Sequence, residues 1–145
     1  NEFRYRPAPT LIRICPDADP VDAARVCAAG ILAAGELLSV SVDPAAGHLL
    51  VGALTSLGIA CDVVAQADWL VSMRAPGAPR RVRLVGGDAS QLAGAVAGDP
   101  DLAVWAWPVT SAPRVELLAF LREQSISLTG HRFGSPSAGI GSVQL

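Results

Sequence analysis

Segments with the character of β-strands alternate with helix-like segments along this chain, and glycine, proline or aspartate marks each hand-over. Thr10 to Cys15 (TLIRIC) reads as a strand, PDADP supplies a turn and cap, and Val21 to Gly35 reads as a helix closed by its glycine. Leu37 to Asp43 is the next expected strand. Ala45 to Gly58 places Leu49, Leu50, Ala53, Leu54 and Leu57 at helical spacings of three and four, predicting one apolar face. Ile59 to Ala65 follows as a strand and Ala67 to Arg74 as a short helix. Arg80 to Asp88 alternates arginine with valine or leucine, the pattern of a strand with one edge in solvent. A small helix, a strand over Leu102 to Val109, a helix over Pro113 to Gln124 and a last strand (SISLTG) complete the series. Strands that alternate with helices of this length imply a parallel, helix-covered sheet, so the sequence predicts an α/β, Rossmann-like fold of five or six strands.

The expected division is a polar, proline-bearing linker over residues 1–9, cut from a longer polypeptide, one domain over 10–130, and a glycine- and serine-rich tail over 131–145. At 145 residues the chain has room for one hydrophobic core. The hydrophobic fraction of 51% and mean hydropathy of +0.41 are high for a free domain even after discounting the many alanines, which points to an additional apolar interface.

Charge and residue types exclude several functions. The net charge is -2 and the arginines are scattered, which leaves no basic footprint for nucleic acid or an anionic membrane. All 11 basic residues are arginine, and without lysine there is no Schiff-base chemistry and no Walker-type phosphate lysine. The longest clean apolar run, Val26 to Gly35, is far below the roughly 20 residues that cross a bilayer. Cys15, Cys27 and Cys61 are widely spaced in apolar surroundings, as expected of buried thiols in a cytoplasmic protein rather than a disulfide framework or zinc site.

Gly86, Gly87 and Asp88 fall where a strand hands over to a helix, the place where open α/β sheets bind phosphate. The G-x-G-x-x-G fingerprint is missing, and Asp88 would set a negative charge against a phosphate. A tight turn with an aspartate N-cap is the plainer expectation. No G-x-S-x-G elbow accompanies His48 or His131, and no cysteine has an activating neighbourhood. Glu116 and Glu123, seven residues apart, are expected as solvated helix positions, with Glu123 within reach of Arg122 or Arg132. Trp105 and Trp107 alternate on one strand and share a face, as rings packed under a helix or anchoring an interface do.

YRPAP near the start, RRVRLVGGDASQLAGAV in the middle and RVELLAFLREQSISLTGHRFGSPSAG near the end together resemble the C-terminal aldehyde-dehydrogenase-like domain of long proline utilization A proteins. These are bifunctional proline dehydrogenase/L-glutamate γ-semialdehyde dehydrogenases of proline catabolism. The resemblance implies a degenerate nucleotide-binding fold without catalytic residues, and with no cofactor of its own, that docks on the dehydrogenase module of the same polypeptide or of a second protomer. NAD and FAD would belong to the parent oxidoreductase. The residues agree with the missing chemistry, because there is no lysine and the only asparagine is Asn1. The expected docking elements are the last strand and tail, with Ile126, Leu128, His131, Arg132 and Phe133 at the domain interface. The alternative is a small-ligand or nucleotide-binding module built on Gly86, Gly87, Asp88 and the tryptophan pair.

Overall fold

The computed structural model describes residues 2–127, 131–132 and 135–136. Its centre is a five-stranded parallel sheet of β2 (Thr10–Ile14), β3 (Leu38–Val42), β4 (Cys61–Val63), β5 (Arg81–Val85) and β6 (Ala103–Trp105), in the order β4-β3-β2-β5-β6. The chain runs outward from β2 to β4 on one side and returns beside β2 with β5, so strand order reverses between β2 and β5. This is the doubly wound, Rossmann-like arrangement that the alternating segments predict.

Registers divide the buried side chains between two faces. Ile12 lies beside Arg83 and Ile14 beside Val85, whereas Leu11 lies beside Val82 and Arg13 beside Leu84. On the first face, Ile12, Ile14, Val40, Val42 and Val85 pack with Val26 and Cys27 of α1 (Pro20–Ala34), Leu54 of α2 (His48–Ser56) and Phe120. On the second, Leu11, Cys15, Val82 and Leu84 pack with Trp69 of α3 (Gln66–Ser72), Met73 and Leu92 of α4 (Ala89–Ala95). Both faces are covered, as a parallel sheet requires.

Each face also contains a fully buried arginine. The sequence pattern sends Arg83 to a solvent edge, but β5 is paired on both sides and Arg83 is 0% exposed. Its Nη2 donates to Glu116 Oε2 at 3.0 Å, and Nη1 donates to the carbonyls of Leu84 at 2.8 Å and Trp107 at 3.0 Å. Glu116, expected in solvent, is 3% exposed, and its Oε1 also accepts from the Thr110 amide at 2.7 Å. On the opposite face Arg13, also 0% exposed, donates to Ser41 Oγ at 2.8 Å, Val64 O at 2.9 Å, Gln66 Oε1 at 3.0 Å and Asp43 Oδ2 at 3.2 Å. Its guanidinium lies 4.9 Å from the Trp69 ring centroid. A buried cation needs a counter-charge and filled donors, and these sets supply most of them; Arg83 Nε and Trp69 Nε1 have no partner among the described residues.

The ends of the chain depart most from expectation. Residues 2–7, read as linker, form β1 (Glu2–Pro7), which pairs antiparallel with β7 (Leu121–Ile126) in a ribbon outside the main sheet. The helix expected over residues 113–124 is only α5 (Pro113–Glu116) followed by a 3-10 turn (Leu117–Phe120), after which the chain is extended. Phe120 is fully buried and its carbonyl accepts from the Ala8 amide at 2.9 Å. Beyond it, pairing with β1 satisfies the backbone as strand and overrides helix propensity. The last strand therefore adds no edge to the main sheet, and Glu123 lies on β7, where Tyr5 Oη donates to it at 3.4 Å.

Two smaller expectations shift as well. Only Leu54 of the predicted α2 face is buried, while Leu49 is 92% and Leu57 73% exposed. Cys15 and Cys27 are buried, but Cys61 on β4 is only partly so.

Candidate functional site

In doubly wound sheets the binding crevice opens at the carboxyl ends of the strands beside the order reversal, here between the loops after β2 and β5. The first loop carries Cys15, Pro16 and Asp17; the second carries Gly86, Gly87 and Asp88. Gly86 and Gly87 both have φ of +69°, left-handed values that disfavour any side chain. Close approach also requires them: a Cβ at residue 86 would lie 2.8 Å from Asp17 Oδ1, and one at residue 87 would lie 2.6 Å from Cys15 Sγ.

The protein's own carboxylates take the donors at this mouth. Gly87 N–H donates to Asp17 Oδ1 at 2.7 Å. Asp19 caps α1, accepting from the amides of Val21 at 2.8 Å and Asp22 at 3.1 Å. Asp88 caps α4 through the Ser90 amide at 2.8 Å, and hydrogen bonds from Ser90 hold its carboxyl below the usual range. The amides of Gly87, Val21, Asp22 and Ser90 are thus occupied, and Asp17, Asp19, Asp22 and Asp88 set negative charge about the opening.

A crevice of ≈ 310 Å³ remains, lined by Asp17, Asp19, Asp22, Gly86, Gly87 and Trp107 among others. Next to it a hollow of ≈ 360 Å³ is bordered by Pro16, Asp17, Gln66, Gly87, Asp88 and Gln91. Trp105 ends β6 and Trp107 lies beyond it, not on the same strand as expected, yet their rings meet edge to face with centroids 6.2 Å apart. Arginines cover them: the Arg81 guanidinium sits 4.2 Å from the Trp105 centroid and that of Arg83 5.5 Å from Trp107.

The thiols are poorly suited to nucleophilic work. Burial pushes Cys15 up to about 11 and Cys27 up to about 12, so neither is a thiolate at neutral pH. Among the described residues no group of three or more His, Cys, Asp or Glu could hold a metal ion, and no helix is long and apolar enough to cross a membrane.

The expected sites are therefore not brought together. Gly86, Gly87 and Asp88 form the crevice wall, whereas Ile126 ends β7 opposite Glu2, at the ribbon. His131 and Arg132 form a two-residue strand paired with Ser135 and Pro136, and Leu128 and Phe133 lie outside the described residues. Sequence reasoning missed Asp17, although Cys-Pro-Asp after the first sheet strand and Gly-Gly directly after the fourth were the signal that two carboxyl-end loops could meet.

Fold and crevice together define an α/β protein with a Rossmann-like parallel sheet whose usual ligand mouth is bridged by its own aspartates. No family model, curated protein or solved structure matches the chain.

Proposed function

We propose that the chain is a non-catalytic docking module of a bifunctional proline-catabolic enzyme, one that oxidises proline to glutamate through L-glutamate γ-semialdehyde. The observation that carries this reading is the Asp17 carboxylate on the Gly87 amide, 2.7 Å away, where a nucleotide-binding relative would present a free donor. An Asp17 carboxylate bridging the mouth of such a fold supports a role without nucleotide chemistry, and fold alone confers no activity. Support for docking comes from the extended C-terminal strand and from exposed apolar side chains, among them Leu32 and Leu49. The parent enzyme would carry the FAD and NAD chemistry in its other modules, in the cytoplasm, and the interface would use Ile126, Leu128, His131, Arg132 and Phe133. Co-expression with a bifunctional proline dehydrogenase/aldehyde dehydrogenase chain lacking this domain tests the reading. Co-purification that F133A and R132E weaken is expected; failure of the unmodified chain to associate contradicts it.

A second reading, a small-ligand module, is favoured by one observation: Gly86, Gly87 and Trp107 line the same crevice. Titration of tryptophan emission with NAD, FAD and ATP separates the two. A saturable change favours a ligand site beside Trp107, and a flat response to all three removes it.

A further inference from the structure

The β1–β7 ribbon is the part of the described molecule with least support. Among the described residues its two strands pair only with each other, and no described strand lies beside the second edge of β1. Phe3 is 60% and Tyr5 50% exposed, their rings edge to face at 5.7 Å, and a two-stranded ribbon is marginal by itself in water. The opposite ribbon face carries Glu2, Arg4 and Arg6, with Arg4 ion-paired to Glu2 and both arginines donating to Gln124. Arg6 stands directly opposite Arg122, a like-charge pair that the ribbon does not neutralise.

Charges on an edge strand ordinarily oppose pairing with another strand. The order Glu-Phe-Arg-Tyr-Arg reverses that for one partner, because it is nearly its own antiparallel complement. With a twofold axis through Arg4, Glu2 faces Arg6 of the other copy, Phe3 faces Tyr5, and Arg6 faces Glu2. Two opposite-charge pairs and two aromatic pairs form at the cost of one Arg4–Arg4 juxtaposition, where each guanidinium already has its own Glu2. Centring on Tyr5 sets Arg4 against Arg6 twice, and centring on Phe3 leaves only three described residues overlapping.

From this self-complementarity we infer that β1 is a homodimerisation edge: a second copy of this chain adds antiparallel across β1 and makes a four-stranded β7-β1-β1-β7 sheet. Association through β1 does not call on Leu128, His131, Arg132 or Phe133, so it stands apart from the docking proposed above. Sedimentation equilibrium of the 145-residue chain, with circular dichroism as a check of fold, tests it. The chain should dimerise, E2R and R6E should each weaken self-association by about tenfold or more, and the double variant E2R/R6E should restore it. Within the ribbon R6E places a carboxylate opposite Arg122, so ribbon unfolding does not explain its loss of dimer. A chain that stays monomeric up to about 1 mM, or a double variant no better than the single ones, overturns the inference.

Discussion

The side chains that organise this fold are two arginines that hydropathy places outside it. Arg83 and Arg13 occupy opposite faces of the sheet centre, and each ties a strand to a distant segment, Arg83 to Glu116 and Arg13 to Asp43 and Gln66. The alternation of Arg81 and Arg83 with valine and leucine is that of a half-exposed strand, and Arg13 interrupts an otherwise apolar run. What hides the burial of Arg83 and Arg13 is that the counter-charges lie 33 and 30 residues away. Truncating one member of a buried pair strands the other, so R83M should lose about 3–5 kcal/mol in urea denaturation. R83M/E116Q should recover part of it, since a neutral amide can still accept from Thr110. Equal losses in both variants would mean that the charge of Glu116 is immaterial. The glycine wall gives a second test at this scale. G87A should cost more than about 2 kcal/mol, because its Cβ meets Cys15 Sγ at a backbone φ of +69°. Adding C15A should relieve the sulfur contact without the backbone strain, so an additive double variant would contradict the clash.

Five central strands were legible as short, largely apolar runs between turn residues, with burial on both faces behind the pattern in β2, β3 and β5 but not in the edge strands β4 and β6. The ends were not. Glu-Phe-Arg-Tyr-Arg-Pro alternates charged and aromatic residues, a short strand pattern without an aliphatic run because β1 packs on no core, and its partner β7 lies more than a hundred residues away. Leu121–Gln124 reads as the end of a helix and only Ser125–Ile126 as strand, because the pairing that extends all six residues comes from β1 at the other end of the chain. The two elements should therefore depend on each other. Deleting residues 2–7 should leave the amides of β2, β3 and β5 protected from hydrogen exchange while those of β7 exchange at rates near those of exposed loops. Protection of β7 undiminished by the deletion would show that it is held by something other than β1.

At the scale of the whole molecule, burial shifts the titration of two of the three thiols. Cys15 and Cys27 are raised from 9.0 to about 11 and about 12 by desolvation, so the folded state holds their protons more tightly than the unfolded chain. Their contribution to stability is fully present below pH 9 and is lost as pH rises through the folded values. The urea midpoint should therefore fall between pH 8 and pH 11, and C27A should flatten that fall; an identical decline in C27A would place its cause elsewhere. At the crevice the glycine turn was visible in the sequence and the carboxylate that closes it was not, because Asp17 and Gly87 are 70 residues apart and only the strand order makes them neighbours. The proposed docking role requires that this bridge leave the mouth unable to hold a nucleotide. Isothermal titration calorimetry of NAD into the intact chain measures it most directly: no heat of binding beyond dilution is expected, and a saturable isotherm in the micromolar range would contradict the account.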